Sequence, residues 1–84
     1  MYYSIVIPVH NEEPTLTQLL IELEPYSKRN EILFINDGST DKTLFLLSRC
    51  EFIKLINLDA NYGKGYSISK GLKNSKYNKI LIID

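Results

Sequence analysis

The segment ILFINDGSTD, residues 32–41, joins a short apolar run to a polar sequence that favours a turn. Its apolar half contains no polar residue and is rich in β-branched and aromatic side chains. Such a run is typical of a strand that is covered on both faces of a parallel sheet. In the polar half, Gly38 suits a left-handed turn because it has no Cβ. The segment therefore predicts a buried strand that ends in a polar loop.

Similar apolar runs recur on either side of this segment, at residues 4–7, 52–56 and 80–83. The run at 52–56 carries Lys54 in its middle, which indicates an edge strand. The runs at 4–7 and 80–83 indicate further strands of the same sheet.

The pattern between the first two runs predicts a helix. Its apolar side chains repeat with the i, i+3, i+4, i+7 spacing of one helix face: Leu16, Leu19, Leu20 and Leu23. Pro14 suits the first turn of this helix and Pro25 suits its end.

Two more helices are expected further along the chain. The second is predicted to begin within residues 39–41, where hydroxyls and a carboxylate can cap free N–H groups, and to run towards Cys50. The third is predicted to follow residues 62–65, with Ile68, Leu72 and Ser75 on one face. The order β-α-β-α-β-α-β with right-handed crossovers predicts an α/β, Rossmann-like parallel sheet with helices on both faces.

Composition excludes several classes of protein. The 84 residues form one domain at most, and ten basic residues balance ten acidic ones. Without a net positive charge, nucleic acid is not expected as a partner. No apolar run approaches the length of a membrane span, and the single cysteine cannot form an internal disulfide. A cytoplasmic location is expected.

The polar loops of the predicted sheet all follow strands, at residues 8–13, 36–41 and 61–65 and at Asp84. In open α/β sheets, ligands bind beyond the carboxyl ends of the strands. The convergence of these loops at one edge of the sheet therefore predicts a binding site there.

These loops resemble those of the family 2 glycosyltransferases of GT-A fold. Residues 5–13, IVIPVHNEE, resemble the opening signature of the family, and residues 36–41, NDGSTD, resemble its DDGSTD loop. Residues 61–65 with Gly71-Leu72 resemble its N-x-G-K-G … G-L segment, and residues 82–84 resemble the approach to its D-x-D motif. The resemblance covers essentially the whole chain, and it is greatest to the dolichyl- or undecaprenyl-phosphate sugar transferases.

The resemblance implies a nucleotide site built from the first two loops. Pro8 would give backbone contact and shape, His10 a flat ring near the base, and Glu12 an acceptor for the ribose hydroxyls. Asp37 would accept a hydrogen bond from uracil or guanine, with Ile35 packing nearby. The family more often has Tyr in the place of His10.

Asn36 also departs from the family, which usually has Asp in its place. We expect the Asn36 amide to serve the hydrogen bonding of the loop itself.

The resemblance also implies a phosphate and metal side of the site. Lys64 would bring an ammonium group to the phosphates or the base. Asp84 would be the first Asp of D-x-D, contacting the ribose and a divalent metal, Mg²⁺ or Mn²⁺. The second Asp, the catalytic base and the acceptor-binding elements would lie outside this chain, so no catalytic residue is assigned within it.

The expected function is transfer of a sugar from a UDP- or GDP-sugar to a lipid-phosphate, glycan or protein acceptor. Residues 1–84 would be the N-terminal nucleotide-binding portion of a GT-A domain that is truncated after its fourth strand. We therefore expect apolar side chains of residues 80–83 to be exposed, and the chain either to self-associate or to be the ordered remnant of a longer chain. The full-length protein could lie at the cytoplasmic face of a membrane.

Two other classes share parts of this pattern. A flavodoxin-like signalling receiver needs an acid pair directly after its first strand and a lysine after a fifth strand, whereas Glu12 and Glu13 lie several residues beyond residues 4–7. A non-catalytic nucleotide-binding or interaction module of α/β fold stays open, because it would show the same residues.

Overall fold

The computed structural model describes residues 2–84 and contains a sheet of four parallel strands. The strands β1 to β4 are Ser4–Val9, Glu31–Asp37, Lys54–Leu58 and Ile80–Ile82, and their spatial order is β3-β2-β1-β4. β1 and β2 are the central pair and are buried on both faces, as their unbroken apolar runs predict.

Three helices connect the strands: α1 is Glu13–Leu23, α2 is Thr43–Ser48 and α3 is Lys64–Lys73. A 3₁₀ turn at Glu24–Tyr26 extends the end of α1 and contains Pro25. Pro14 lies in the first turn of α1, where its missing N–H leaves no hydrogen bond unmade.

The core divides into two layers because successive residues of a strand face opposite sides of the sheet. On one side, Ile5 and Phe34 pack with Leu16 of α1 and Leu47 of α2. On the other side, Val6, Leu33 and Ile35 form a second cluster. The predicted α/β sheet with helices on both faces is thereby confirmed.

Helix α3 covers the second cluster through small residues. Ser67 and Gly71 are its buried positions, and a Cβ at Gly71 would lie 2.5 Å from Val6 Cγ1 and 2.9 Å from Ile35 Cδ1. The helix therefore lies too close to the sheet for a large side chain at this position. Leu72, which the sequence places on one face with Ile68 and Ser75, is exposed.

The third strand begins two residues later than the sequence predicts. Phe52 and Ile53 pack against the first core layer, and strand pairing starts at Lys54, opposite Leu33. β3 then continues through Asn57, whose side-chain oxygen accepts a hydrogen bond from Asn36 Nδ2 at 2.8 Å. This amide pair extends the strand beyond its apolar run. The predicted edge position of the strand is confirmed.

Helix α2 also begins later than predicted, at Thr43 rather than within residues 39–41. The N-cap is Lys42, and Asp41, one residue earlier, accepts a hydrogen bond at its Oδ1 from the Thr43 amide, the first of the helix, at 2.9 Å. The expected role of Asn36 is also found, since its Oδ1 accepts a hydrogen bond from the Ser39 hydroxyl at 2.5 Å.

Strand β4 lies at the other edge of the sheet and exposes apolar side chains. Leu81 is 49% exposed and Ile82 is 43% exposed, as expected, whereas Ile80 and Ile83 are partly buried and pack against the core. Among residues 2–84, no helix combines the length and the apolar character needed to cross a membrane.

The strand order reverses at β1, since β2 and β3 lie on one side of it and β4 lies on the other. In open α/β sheets, a crevice forms at the carboxyl ends of the strands where the order reverses. The loops that follow β1 and β4 flank this crevice.

Candidate functional site

A cleft of about 310 Å³ lies at the carboxyl ends of the strands. It combines residues from the loops after β1, β2 and β3 with the residue at position 84: Pro8, Val9, His10, Glu12, Asp37, Asn61, Gly63, Lys64 and Asp84. The structure thus brings together every residue that the sequence assigns to the nucleotide site except Ile35.

Ile35 lies beneath α3 and not in the cleft. It is 0% exposed and belongs to the second core layer, where its Cδ1 is close to Gly71. Alternation along β2 directs Ile35 and Asp37 to the same face, but only Asp37 reaches the end of the strand. The side chain of Ile35 therefore belongs to the core and not to the site.

Asp37 holds the loop that follows β3. Its Oδ1 accepts a hydrogen bond from the Tyr62 amide at 2.7 Å, and its Oδ2 accepts one from the Gly63 amide at 2.9 Å. The residue is only 4% exposed. Each carboxylate oxygen has two lone pairs, so both oxygens can still accept a hydrogen bond from a ligand.

Gly38 permits a close approach between the loops after β2 and β3. Its φ is +65°, and a Cβ at this position would lie 2.4 Å from both Ala60 C and Asn61 N. Gly63, with φ of +97°, immediately precedes α3. Gly38 therefore meets two requirements that other residues cannot meet together, a left-handed backbone and contact with a neighbouring backbone.

His10 connects all three loops. Its Nδ1 lies 2.7 Å from the Asp37 carbonyl oxygen, which can only accept, so Nδ1 carries the proton in this contact. In the neutral ring, Nε2 then accepts hydrogen bonds from the side-chain amides of Asn11 and Asn61, each at 3.3 Å. These bonds fix the orientation of the ring at the edge of the cleft.

Asn11 joins the loop after β1 to the loop after β2. Its φ is +53°, a left-handed conformation that Asn tolerates better than most residues. Its Oδ1 accepts hydrogen bonds from the amides of Thr40 at 2.7 Å and Asp41 at 3.3 Å. The sequence predicts no role for Asn11 or Asn61, because the tendency of Asn to adopt turns is its only signal for them.

The start of α1 is bonded to the same loop. Glu13 N donates to Asp41 Oδ2 at 3.2 Å, and Glu12 N donates to the Thr43 hydroxyl at 2.9 Å. The pKa of Asp41 lies below its ordinary value of 3.8, chiefly because of the side-chain hydrogen bond with Thr43, with further contributions from the amides of Thr43 and Glu13. Glu12 itself is exposed, and its Oε2 accepts a hydrogen bond from the Thr15 hydroxyl at 3.0 Å.

The charged groups of the cleft are unevenly balanced. The carboxylates of Glu12, Asp37 and Asp84 line it, whereas Lys64 is the lining residue that carries an ammonium group. Lys64 is the first residue of α3, and its Nζ forms an ion pair with Asp84 Oδ1. The cleft therefore has an excess of negative charge that a phosphate ligand alone would not neutralise.

Two stacked tyrosines lie beside the cleft. The rings of Tyr62 and Tyr66 are 4.5 Å apart at 24°, and both side chains are partly exposed. The Tyr62 hydroxyl donates to Asp59 Oδ1 at 2.5 Å, and this hydrogen bond raises the pKa of Tyr62.

Asp84 can provide one ligand of a metal site. Within residues 2–84, no three His, Cys, Asp or Glu side chains gather closely enough to bind a metal ion by themselves. Mg²⁺ commonly takes one or two protein carboxylates and completes its shell with phosphate oxygens and water. The single Asp84 carboxylate, lining a cleft that can admit phosphates, fits such a shared site.

A larger hollow of about 480 Å³ lies at the opposite, amino ends of the strands. One of its two carboxylates, Glu31, accepts hydrogen bonds from the Ser4 hydroxyl and the Lys76 amide, both at 2.7 Å. These bonds attach the segment before β4 to β1 and β2. The hollow contains none of the predicted site residues.

An open α/β domain with a cleft at the reversal of strand order is typical of nucleotide-binding proteins. The model of the family described as glycosyl transferase family 2 matches residues 4–84. The chain belongs to this family, and the resemblance found in the sequence is confirmed.

Relatives and a solved structure support this assignment. An uncharacterised glycosyltransferase of Synechocystis sp. is 42% identical over 89 residues, which cover 96% of this chain and 28% of that protein. A dolichyl-phosphate beta-glucosyltransferase of Trichomonas vaginalis is 32% identical, over 100% of this chain and 29% of that protein. The crystal structure of S. aureus TarS in complex with UDP-GlcNAc matches with a TM-score of 0.86 and 27% identity, over 100% of this chain and 26% of TarS. The chain thus spans less than a third of each of these proteins.

Proposed function

We propose that this chain supplies the part of a glycosyltransferase that binds a nucleotide diphospho-sugar. The observation that carries the proposal is the meeting of three loops, those after β1, β2 and β3, in one cleft of a family 2 chain. The TarS complex with UDP-GlcNAc supports a uridine nucleotide as the donor, and a GDP-sugar is the second candidate.

The base and ribose would occupy the part of the cleft near β1 and β2. Asp37 would accept a hydrogen bond from the base through a lone pair that the Tyr62 and Gly63 amides leave available. Glu12 would accept hydrogen bonds from the ribose hydroxyls, and Pro8 and His10 would shape the wall against the base. The hydrogen bonds of His10 hold its ring in place before the nucleotide arrives.

The diphosphate would lie between Lys64 and Asp84. A divalent metal, Mg²⁺ or Mn²⁺, held in part by Asp84, would neutralise the charge of the departing nucleoside diphosphate. Lys64 would contact the phosphate oxygens directly as a point charge.

The whole protein would transfer the sugar to an acceptor, and the catalytic base would lie outside these residues. The name of the Trichomonas relative supports a lipid-phosphate acceptor; a glycan or a protein is the alternative. We place the reaction in cell wall or polysaccharide biosynthesis. We also propose a cytoplasmic location, with the whole protein at the cytoplasmic face of a membrane. The 84 residues alone should transfer no sugar.

A thermal-shift screen tests the donor proposal. UDP, GDP, CDP and their sugars are added with Mn²⁺, and a selective ligand at a hundred times its Kd should stabilise the protein by about 2.7 kcal/mol. Stabilisation by uridine or guanosine nucleotides supports the proposal, and equal melting temperatures with all of them contradict it. Sugar transfer by the full-length protein then separates an enzyme from a non-catalytic nucleotide-binding module.

A further inference from the structure

Lys64 and Asp84 form an ion pair between two separate parts of the cleft. Lys64 begins α3, and Asp84 lies just beyond β4, so the pair joins the loop after β3 to the strand on the far side of β1. Both side chains are well exposed, at 57% and 61%. Ion pairs this exposed are weak, so the partners can exchange at little cost.

The charges of the cleft give this pair a consequence for ligand binding. A nucleoside diphosphate brings at least two negative charges into a cleft that already contains Glu12, Asp37 and Asp84. The ammonium of Lys64 pairs with Asp84, so this carboxylate competes with the phosphates for it. A cation that takes over Asp84 would release Lys64 and lower the repulsion at the same time.

We propose that the ammonium of Lys64 and the divalent metal compete for the carboxylate of Asp84. In the absence of metal, the ammonium neutralises Asp84; when Mg²⁺ or Mn²⁺ binds Asp84, the ammonium moves to the diphosphate. Metal binding and nucleotide binding then reinforce each other through the exchange of one cation for another. The phosphate half of this inference rests on the proposed function, and the competition for Asp84 does not.

The competition is tested with the metal alone. Mn²⁺ is titrated into ¹⁵N-labelled protein, and paramagnetic broadening of the Asp84 amide signal reports binding even when it is weak. Lys64→Met should bind Mn²⁺ about two- to fivefold more tightly than the wild type, because Asp84 no longer has a competing cation. Lys64→Arg should bind like the wild type. Lys73→Met, which removes the same charge from the last turn of α3, should also leave the affinity unchanged.

The release of Lys64 is tested with UDP in the presence of a chelator. Asp84→Asn should bind UDP about two- to fivefold more tightly than the wild type, because the ammonium is free to meet the phosphates. A general loss of repulsion would give the same gain, so the change is repeated in a Lys64→Met background. The gain should be smaller there, since only the loss of repulsion remains and no ammonium can be released.

The two titrations separate the inference from the function on which it partly rests. Unchanged Mn²⁺ broadening in Lys64→Met would overturn the exchange, whatever nucleotide binds. A UDP gain that is as large in the Lys64→Met background as in the wild-type background would also overturn it. If UDP binds none of the proteins, the nucleotide half and the proposed function both fail, while the Mn²⁺ titration still decides the competition for Asp84.

Discussion

Asp37 Oδ2 accepts a hydrogen bond from the Gly63 amide at 2.9 Å, across 26 residues of sequence. The bond joins the last residue of β2 to the residue that precedes α3. The other carboxylate oxygen accepts from the Tyr62 amide at 2.7 Å. A residue that the sequence assigns to reading the base therefore also determines where the loop after β3 lies, and with it the position of Lys64 in the cleft.

Replacing Asp37 with Asn should release this loop. The Asn side chain has one acceptor in place of two, so either Tyr62 or Gly63 loses its hydrogen bond, at a cost of about 1–3 kcal/mol. Hydrogen exchange at the Tyr62 and Gly63 amides should become faster than in the wild type. Asp41→Asn is the matched control, since Asp41 bonds the Thr43 and Glu13 amides instead. Unchanged exchange in Asp37→Asn would contradict the role of the carboxylate.

Gly38→Ala should destabilise the protein by about 2–5 kcal/mol, because it combines backbone strain with overpacking. The alanine would have to adopt a left-handed backbone conformation, and its Cβ would lie 2.4 Å from the backbone of Ala60 and Asn61. Gly65→Ala is the control: no atom within 4 Å would meet its Cβ, and it should stabilise by about 0.4–1 kcal/mol. Urea denaturation measures both. Similar stabilities for the two variants would show that the loops after β2 and β3 do not touch at Gly38.

The bonds of Asp41 predict a pH dependence of stability. Its pKa is lowered in the folded protein, so its contribution is present above the ordinary value of 3.8 and is lost as the pH falls through the lowered value. The free energy of unfolding of the wild type should therefore exceed that of Asp41→Asn by a constant amount near neutral pH. This difference should decrease as the solution becomes acidic. Denaturation at a series of pH values measures it. A difference that stays constant into strong acid would be incompatible with these bonds.

The sheet could be predicted because β1 and β2 are buried on both faces and so contain unbroken apolar runs, at residues 5–9 and 32–35. The start of β3 could not be predicted. Phe52 and Ile53 have the apolar side chains of a strand, but they pack against the core and precede the first paired residue. For α3, the prediction grouped Leu72 with Ile68 and Ser75 on one face, whereas Leu72 is exposed and Gly71 allows the helix to approach the sheet.

The members of the site could also be predicted, since polar loops at the carboxyl ends of parallel strands meet at one edge. The hydrogen bonds that join these residues could not be predicted. The contact between His10 and Asn61 spans 51 residues, and the Asp37 bonds are made to backbone amides, which carry no side-chain signal in a sequence. Ile35 was assigned to the nucleotide by its position in the motif, and the structure places it in the core.

The exposed apolar edge at β4 predicts self-association. Leu81 and Ile82 are exposed on a strand whose outer edge has no neighbour within the described sheet, a combination that favours pairing with a second copy. Light scattering should show association that increases with concentration and that Leu81→Lys reduces. Ile21→Lys, an exposed site on α1, should not reduce it. A monodisperse monomer of 9.7 kDa at all concentrations would refute the prediction.

The most direct measurement of nucleotide binding is an NMR titration of the ¹⁵N-labelled protein with UDP and Mg²⁺. If the cleft at the carboxyl ends binds the nucleotide, the amide signals of His10, Glu12, Gly63 and Lys64 should shift together and saturate with one Kd. Those of Arg29 and Glu51, at the opposite hollow, should stay in place. An absence of saturable shifts at the cleft, or shifts that centre on the opposite hollow, would contradict the proposal that this chain binds a nucleotide diphospho-sugar.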